Sequence, residues 1–594
     1  MTVIEKLSAL RELMKKYAID LYIIPTDDYH ASEYVGDYFK EREYMSGFTG
    51  SAGTLVVTDS FADLFTDGRY FLQAQSQLEG STINLQKMFT PGVPDIMTFI
   101  VQSTPSGGKI GFDGRTISSS FAKRLQEKFG GKNISFVPDV DLVDCIWEGR
   151  PPMSARKVWI LDEKYAGISA CEKIRLIREK LEENHADYLL ISALDETAWT
   201  LNLRGDDVEC TPVFLSFMLV GKDSAVLYCN RNIIDSEVGK YLENVGVEIK
   251  DYEDIYSDVS LIPSEKKVWI DSHTANYRLK NCIKAMIKED ESPVVLMKSK
   301  KTDAEINNFR SAHIKDAVAV TKFIYWLKQN AGKDGITELS AAKKLEELRR
   351  SQSGFLQNSF TPIIAYGAHA AVIHYEPTAE TDVPIEKRGL CLCDTGGHYI
   401  EGTTDITRTV SLGNITDEEK RMFTIALIGH LNLSAAVFKK GVSGENLDVL
   451  ARLPLWESGV DFNHGTGHGV GYVLSVHEGP QYINWKIRDK SSHYPLEKCM
   501  VVSNEPGFYQ EGRFGIRHEN LLAVAEKETT SYGDFLCFEE LTMVPFDKCA
   551  IDFSLMSKTE IDRLNAYHKK VYENISPYFE GEELLWLKDA VSPV

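Results

Sequence analysis

The sequence predicts a protein of mixed α/β and α+β class, in which two related α/β domains precede a larger α+β domain. Three observations support this prediction. A chain of 594 residues is too long for one ordinary domain. A helix–strand segment recurs within the first third, and from about residue 360 the sequence changes to short β-rich runs separated by glycine-rich turns. We expect the domains at residues 1–155, 156–300 and 301–594.

The recurring segment defines the first two domains. Residues 5–24 (EKLSALRELMKKYAIDLYII) and 172–191 (EKIRLIREKLEENHADYLLI) superimpose without a gap. Each copy has the pattern of an amphipathic helix followed by a β-strand, with Asp20 and Asp187 at the same position just before the strand. We therefore predict two copies of one α/β domain. The alternative is a chance similarity between two helix–strand units.

Two junctions separate the three domains. The stretch 148–157 (EGRPPMSARK) contains adjacent prolines, which favour a linker. A second junction falls in residues 298–313, where a long helix is predicted to begin. Ile306, Phe309 and Ala317 belong to an apolar stripe with helical spacing there.

Composition excludes several function classes. The chain is 43% hydrophobic and carries a formal charge of −21, which argues against nucleic-acid and anionic membrane partners. No signal-peptide pattern opens the sequence, and apolar runs such as 213–220 are too short to span a bilayer. The ten cysteines lack zinc-site spacing, so we expect reduced thiols and a cytoplasmic protein.

The last domain places carboxylates where core residues are expected. Asp394 ends an apolar run, and Asp405 follows it after a glycine-rich turn. Glu505 ends another predicted strand, and Glu519 lies inside a third. Each acid alone has an ordinary explanation as a turn or edge residue. Together they require a positive partner, because an unpaired buried carboxylate costs several kcal/mol.

A glycine-rich segment, residues 464–471 (HGTGHGVG), supplies histidine. Its glycines oppose a stable helix, so His464 and His468 should face one way from extended backbone. The glycines would also let a metal or a substrate approach closely. His477 follows in what we predict to be the next strand. Four carboxylates and one histidine on strands favour a site for two divalent metal ions.

These segments resemble a known family, the pita-bread metallopeptidases (M24), and within it the long, three-domain cytosolic aminopeptidases P (Xaa-Pro aminopeptidases). The resemblance spans essentially the whole chain and rests on seven motifs: DGRYFLQA (67–74), HYEP (374–377), DTGGHYIEGTTDITRT (394–409), HGTGHGVG (464–471), VHEGP (476–480), NEPGFY (504–509) and GIRHEN (515–520). It implies two creatinase-like α/β domains followed by a C-terminal pita-bread catalytic domain.

The resemblance also implies site residues. The five metal ligands would be Asp394, Asp405, His468, Glu505 and Glu519. Substrate contacts would come from Arg69, His374, His468, His477 and Glu505. We add His464 beside the substrate proline, with loop ordering as the alternative role. His518 departs from the family, whose members often carry an apolar residue there; it would either tune metal affinity or face away from the site.

The expected activity is hydrolysis of the bond between any N-terminal residue and a penultimate proline, by a hydroxide that bridges two divalent metals. Glu505 would move the proton, and His374 with His477 would stabilise the oxyanion. The carboxylate-rich site favours manganese, with zinc or cobalt also able to bind. The resemblance implies a homodimer formed through the catalytic domain.

Two other functions, one enzymatic and one not, stay open at this point. A prolidase, which cleaves only dipeptides, shares the five ligands, although its relatives typically lack a third domain of this sort. A non-catalytic peptide-binding module on the same fold is the non-enzyme alternative. Methionine aminopeptidases are disfavoured by the two preceding domains.

Overall fold

The structure is a computed structural model that describes residues 1–486 and 493–594. The described chain forms two compact units, Met1–Asp162 with Ile168–Val295 and Glu163–Gly167 with Leu296–Val594. Both predicted α/β domains lie in the first unit, and the α+β domain forms most of the second. The boundaries predicted at residues 155 and 300 stay predictions.

The first unit begins with an α/β half. Its helices and strands are α1 (Val3–Tyr17), β1 (Leu21–Pro25), α2 (Glu41–Ser46), β2 (Thr54–Thr58), β3 (Ala62–Thr66), α3 (Phe71–Gln77), β4 (Asn84–Lys87), α4 (Ile96–Ser103), β5 (Lys109–Gly111), α5 (Ser119–Glu127) and β6 (Ser135–Val137). The sheet order is β4-β3-β2-β1-β5-β6, with β1 antiparallel to β2 and parallel to β5.

The next elements build a second half of the same design. They are β7 (Trp159–Ile160), α6 (Glu163–Ala166), α7 (Ala170–Glu183), β8 (Tyr188–Ile191), α8 (Leu194–Leu201), β9 (Leu203–Arg204), β10 (Ser216–Gly221), β11 (Ala225–Cys229), α9 (Ser236–Val245), β12 (Glu248–Asp251), α10 (Asp254–Leu261), β13 (Lys267–Ile270), α11 (Tyr277–Cys282), β14 (Met286–Glu289) and α12 (Pro293–Ser299). The sheet order is β12-β11-β10-β8-β13-β14, with β8 antiparallel to β10 and parallel to β13. Helix α6 belongs to the second unit.

The predicted repeat is confirmed down to single contacts. Asp20 accepts a hydrogen bond from the Lys109 backbone N–H at 2.7 Å, and Asp187 accepts one from the Lys267 N–H at 2.9 Å. In each half, the aspartate before the central strand therefore fixes the start of the neighbouring parallel strand. The buried stripe Leu7, Leu10, Met14 of α1 recurs as Ile174, Ile177, Leu181 of α7.

The second unit is α+β, as predicted. Its further elements are α13 (Asp303–Asn330), α14 (Glu338–Arg350), β15 (Phe355–Asn358), β16 (Ile363–Tyr366), β17 (Leu390–Thr395), β18 (Gly397–Tyr399), β19 (Gly402–Thr403), β20 (Ile406–Ser411), α15 (Asp417–Ser434), β21 (Val437–Lys439), α16 (Gly444–Glu457), β22 (Gly467–His468), β23 (Tyr482–Ile483), β24 (Val501–Asn504), β25 (Gly507–Gln510), β26 (Phe514–Arg517), β27 (Asn520–Thr530), β28 (Gly533–Glu540), α17 (Lys558–Ile575) and α18 (Gly581–Ala590). Helix α13 begins with a capping box between Thr302 and Glu305.

Small antiparallel sheets carry the polar motifs of this unit. One has the order β16-β17-β20 and another β21-β28-β27-β24, while β22 pairs with β23 and β25 with β26. Cys393 of β17 and Ile516 of β26 lie in the hydrophobic core with Phe323 and Phe423. Since successive strand residues face opposite sides, the residues that follow Cys393 and Ile516 project away from that core.

Within the described residues, no helix combines the length and the apolar character needed to cross a membrane. All ten cysteines lie in the described part of the chain, and none of them forms a disulfide there.

Candidate active site

The aspartates of the opening motif meet across paired strands. Asp394 is the fifth residue of β17, and Asp405 immediately precedes β20. The two strands are antiparallel, with Asp394 opposite Thr407. Because the short strands β18 and β19 fill the intervening turn, the chain returns Asp405 to the same end of the sheet as Asp394.

His468 enters from the glycine-rich segment. It ends β22, and its backbone N–H donates to Ser503 Oγ at 3.0 Å. A Cβ on Gly467 would lie 2.0 Å from the Ser503 carbonyl oxygen, and one on Gly469 would lie 2.0 Å from the Glu478 carbonyl oxygen. The expectation that the glycines admit a metal or substrate is therefore corrected at these two positions, where the close approach is of the chain to itself.

The two glutamates lie at strand ends. Glu505 directly follows β24, as predicted, and its backbone N–H donates to the Thr466 carbonyl at 2.8 Å. Glu519 was expected inside a strand, but it lies in the break between β26 and β27. The break has a physical cause: the Glu519 N–H donates to the Thr407 carbonyl of β20 at 3.1 Å and so joins a different sheet.

Four of the five predicted ligands converge. Ligand atoms of Asp405, His468 and Glu519 all lie within 4.8 Å of one another. His468 Nε2 is 3.5 Å from both Asp405 Oδ2 and Glu505 Oε1. His468 Nδ1 donates to the Gly469 carbonyl at 2.9 Å, which leaves Nε2 directed at the carboxylates. Such a hydrogen bond on the second ring nitrogen is usual for a metal-ligating histidine.

The electrostatics of the site fit bound cations. Burial raises the pKa of Asp394, Glu505 and Glu519, and mutual repulsion with Asp405 adds to the increase. Burial alone would lower the pKa of His468, but the Asp405 and Glu505 carboxylates outweigh it and raise that pKa to about 9. Asp394 Oδ1 is buried without a hydrogen-bond partner. Divalent cations would neutralise these acids, and one of them would be coordinated by Asp394 Oδ1.

Three residues that the sequence did not single out complete the acid cluster. Arg517 Nη2 lies 2.5 Å from Asp394 Oδ2, and its Nη1 donates to Tyr509 OH at 2.7 Å. Thr407 Oγ1 donates to Glu519 Oε2 at 2.7 Å. A signal was available for Arg517, since it stands two residues before Glu519 inside GIRHEN, on a strand that also supplies core residues.

His464 is ordered by this same cluster. Its Nδ1–H donates to the Gly465 carbonyl at 2.7 Å, and its Nε2 accepts from Tyr509 OH at 2.8 Å. The imidazole is also 3.8 Å from Glu505 Oε2. A chain of contacts thus runs from Arg517 through Tyr509 to His464, so that the ring is held in one orientation.

His477 was expected in a strand, but it lies in the loop between β22 and β23. Its ring stands edge-on to that of His468, with centroids 4.4 Å apart and planes at 88°. The next residue, Glu478, donates its N–H to the Gly469 carbonyl at 2.8 Å, which holds this part of the loop beside His468. His477 is therefore brought to the candidate ligands.

His374 lies half-buried in a turn whose two flanks are held by one acid. Glu338, fully buried at the start of α14, accepts hydrogen bonds from the Tyr366 N–H and the Tyr375 hydroxyl, each at 2.7 Å. His369 Nδ1 lies 3.0 Å from the same carboxylate. Glu338 thereby fixes the segment that contains His374. No sequence pattern indicated this role for Glu338.

Two further residues from the sequence analysis, Arg69 and His518, are held by partners outside the acid cluster. Arg69 belongs to the first unit, where Asp67 holds its guanidinium at 2.8 and 2.9 Å, and its expected reach into the cleft stays a prediction. His518 is buried against Phe423 and Phe546, and Nε2 donates to the Phe423 carbonyl at 3.1 Å. It therefore faces away from the acid cluster.

A second acidic group, in the first unit, has partners already. The carboxylates of Glu41, Asp113 and Asp141 lie close together. Arg150 lies 2.5 Å from Glu41 and 2.9 Å from Asp141, while Arg115 lies 2.8 Å from Asp113. These two arginines offset two of the three negative charges, and burial raises the pKa of Glu41 to about 8, so the cluster is an ion-pair network that needs no cation.

Comparison with known proteins agrees with this architecture. The model of the creatinase/prolidase N-terminal domain family matches residues 6–146, and a second model of that description matches 149–305. The model of metallopeptidase family M24 matches residues 307–526, and that of the C-terminal region of peptidase M24 matches 534–594.

Individual relatives cover the chain to different extents. A probable Xaa-Pro aminopeptidase P of Sordaria macrospora is 40% identical over 99% of both chains. The X-prolyl aminopeptidase of Caenorhabditis elegans, a cytosolic enzyme with a di-nuclear active site, is 33% identical with a TM-score of 0.95 over 100% of both chains. A prolidase from Pyrococcus horikoshii is 26% identical with a TM-score of 0.50, over 63% of this chain and 99% of its own.

The predicted fold of two creatinase-like domains and a pita-bread domain is thus confirmed along the whole chain. The chain belongs to metallopeptidase family M24 and, within that family, to the metal-dependent aminopeptidases of the aminopeptidase P type.

Proposed function

We propose that this enzyme removes the first residue from peptides whose second residue is proline. The observation that carries the proposal is the convergence of Asp405, His468 and Glu519, whose ligand atoms meet within 4.8 Å at a buried, acid-rich site. The Sordaria and Caenorhabditis relatives, named for action on Xaa-Pro or X-prolyl bonds, support the same substrate class.

The site would hold two divalent metal ions. We assign as ligands the carboxylates of Asp394, Asp405, Glu505 and Glu519 and the Nε2 atom of His468. Manganese is the proposed metal, because hard carboxylate oxygens dominate the donor set. When bound, the two ions would acidify a water as the nucleophile and polarise the scissile carbonyl.

Glu505 is the proposed proton carrier. It retains 18% side-chain exposure, so it can face a substrate, and its Oε1 lies 3.2 Å from Ser503 Oγ. Its pKa is raised by burial, which suits a carboxylate that takes a proton from the nucleophile and passes it to the leaving proline nitrogen.

Two imidazoles would stabilise the oxyanion that develops at the attacked carbonyl. We assign the main donor to His374, whose segment Glu338 holds from both sides. His477 would assist from its position beside His468. Donors ordered before the reaction stabilise developing charge without reorganising, which is the largest single contribution in many hydrolases.

Selectivity for proline would follow because the site needs no hydrogen-bond acceptor for the nitrogen of the scissile bond. The X-Pro bond has no N–H, so no acceptor is required there. The His464 ring, fixed by Tyr509 and Gly465, would line the proline side together with His477. The free N-terminal amine would be held by the acid cluster, which accounts for exopeptidase action. Arg69 would contact longer substrates.

We further propose a cytoplasmic homodimer that associates through the second unit. Val449, Leu453 and Trp456 are exposed along α16, and the ring of Trp485 stands edge-on to Trp456 with centroids 6.0 Å apart. An apolar patch of this kind favours an interface. Leu453→Lys should shift the sedimentation coefficient to that of a monomer, whereas an unchanged value would exclude this face.

Two alternatives lead to different results in one assay. A prolidase would cleave Ala-Pro alone, but the prolidase likeness covers only 63% of this chain. A non-catalytic binding module would bind peptide without turnover, and the complete set of candidate ligands argues against it.

The deciding experiment compares Ala-Pro-Ala with Ala-Ala-Ala, each with a free and an acetylated N-terminus, and includes Ala-Pro. We expect kcat/KM for free Ala-Pro-Ala to exceed that for Ala-Ala-Ala by roughly 10²–10⁴, because the alanine N–H would be buried unpaired. Acetylation should abolish cleavage. Comparable turnover of Ala-Ala-Ala would refute proline selectivity, and turnover of Ala-Pro alone would establish the prolidase alternative.

A further inference from the structure

Three charged side chains are buried together beside the candidate active site. Lys298 Nζ lies 2.9 Å from Glu478 Oε2, and Lys301 Nζ contacts Glu478 Oε1. None of the three side chains is more than 4% exposed. Lys301 Nζ also donates to the Lys298 carbonyl at 2.7 Å, so the two lysines form one rigid cradle for the carboxylate.

The cradle joins two parts of the second unit that are distant in sequence. Lys298 lies near the end of α12 and Lys301 just before α13 begins, whereas Glu478 lies 177 residues beyond Lys301 in the loop after β22. The Lys301 backbone N–H donates to the Cys499 carbonyl at 3.0 Å, which anchors the cradle to the segment before β24. The carboxylate of Glu478 is therefore held from outside its own loop.

The loop that Glu478 fixes carries His477. The Glu478 N–H donates to the Gly469 carbonyl, next to His468, while its carboxylate forms ion pairs with both lysines. With backbone and carboxylate both fixed, the preceding residue has little freedom. Its ring is the one that packs against His468 at 4.4 Å.

Net stability does not explain this arrangement. Burying two ammonium groups and one carboxylate removes three charges from water, and apolar residues of similar volume often do as well or better. Moving either partner here would leave a buried charge uncompensated, so these ion pairs favour one geometry. The geometry fixed here is that of the His477 loop.

We propose that Glu478, held by Lys298 and Lys301, is a positioning residue that keeps the His477 imidazole in place against His468; this inference rests on the proposed function, in which His477 assists catalysis. Glu478 itself contacts neither the substrate nor the metal ions in this proposal. Its effect on the reaction passes through His477.

The main test removes the ion pair without changing the charge of the cluster. Glu478→Gln combined with Lys301→Met leaves one positive charge, as in the parent chain, where two lysines face one glutamate. In the metal-loaded enzyme we expect kcat to fall about 10- to 100-fold, with KM changed less than about threefold and the metal content retained. Glu478→Asp keeps the charge but shortens the side chain, so its kcat should fall by less than the loss expected for the double variant. It serves as the test if the double variant does not fold.

A double-mutant cycle separates positioning from general destabilisation. In a His477→Ala background the same pair of substitutions should lower kcat by less than about threefold, because the residue through which they act is gone. Equal losses in both backgrounds, or no loss in either, would overturn the proposal. Lys328→Met is the matched control: it removes another lysine of this unit, paired with Asp547 at 2.6 Å, and should leave kcat unchanged.

A second readout does not require catalysis. In histidine-labelled protein, the NMR signal of His477, assigned by its absence in His477→Ala, should broaden or split in the double variant. A single sharp signal like that of the parent would overturn the proposal even if the parent had no peptidase activity. Failure of the proposed function would show separately, in the parent enzyme's preference between Ala-Pro-Ala and Ala-Ala-Ala.

Discussion

Arg517 and Asp394 form a buried ion pair, with Nη2 of the arginine 2.5 Å from Oδ2 of the aspartate. The same guanidinium donates to Thr407 Oγ1 at 3.2 Å and to Tyr509 OH at 2.7 Å. It thus contacts an assigned metal ligand, the threonine that supports Glu519, and the tyrosine that orients His464. One planar group sets the positions of several parts of the site.

Replacing Arg517 by lysine should therefore disturb the site although the charge is kept. A lysine ammonium cannot make three divergent contacts with fixed geometry. We expect kcat to fall about 10- to 100-fold and metal affinity to weaken, as is usual when a partner of a metal ligand is lost. Kinetics and metal titration of Arg517→Lys check this.

Arg513→Lys is the matched control for that prediction. Arg513 immediately precedes the same strand, but its exposed guanidinium pairs with Glu418 at 2.7 Å. Its replacement should leave kcat and metal affinity unchanged. Equal effects of the two lysine substitutions would contradict the assigned role of Arg517.

Sequence patterns predicted what depends on local spacing. The repeat at an offset of 167 residues identified α1 with β1 and α7 with β8, because amphipathic helices and buried strands have their own periodicities. The strand-end acids Asp394 and Glu505 were identifiable because a carboxylate at the end of an apolar run needs a partner.

Partners that are distant in sequence could not be predicted in this way. Arg517 lies 123 residues from Asp394, and a strand arginine has no local pattern that reveals such a contact. The break at Glu519 depends on a hydrogen bond to β20, and so on how two sheets meet. The glycines of the 464–471 segment suggested room for a ligand, but at Gly467 and Gly469 the neighbouring backbone fills that room.

Metal occupancy should depend on Asp405. Its Oδ2 lies 3.5 Å from His468 Nε2, and its charge contributes to the raised pKa of Glu519. Asp405→Asn keeps the shape but removes one negative charge, so at least one metal per chain should be lost. Elemental analysis of the purified variant measures this, and exhaustive chelation of the parent should abolish activity that manganese restores.

Asp417→Asn serves as the control for metal occupancy, since Asp417 is exposed in the first turn of α15. It should retain the parental metal content. Full activity of the chelated parent enzyme would refute the requirement for metal ions.

Glu338 should affect catalysis through His374. Its carboxylate accepts from Tyr366, Tyr375 and His369, and an amide cannot accept from all three donors. Loss of an oxyanion donor costs about 10²–10³ in kcat, so His374→Ala should show that loss with metals retained. Glu338→Gln should lower kcat about tenfold and add little to His374→Ala.

The control for this prediction lies on the same helix. Glu346 pairs with Arg350 on the solvent side of α14, so Glu346→Gln should leave kcat unchanged. A normal kcat for His374→Ala would remove that histidine from the catalytic role, and additive effects of Glu338→Gln would remove the link between the two residues.

Acid sensitivity should arise in part from His568. This side chain is fully buried in α17, its Nε2 accepts the Phe546 N–H at 3.2 Å, and burial lowers its pKa to about 3 from an ordinary value of 6.5. Between those two values the unfolded chain binds a proton that the folded chain excludes. The free energy of unfolding therefore falls as the pH drops from 6.5 towards 3, by about 1.4 kcal/mol per pH unit.

His568→Gln removes this proton uptake, while its carboxamide oxygen can still accept the Phe546 N–H. Between pH 7 and pH 5 the parent should lose about 2 kcal/mol more stability than the variant, since the other buried histidines are common to both. Urea unfolding of the metal-free proteins at each pH measures the difference and avoids a contribution from metal release. His273→Gln, which removes an exposed histidine, should keep the parental pH dependence. Equal slopes for the parent and His568→Gln would show that His568 takes up its proton in the folded state.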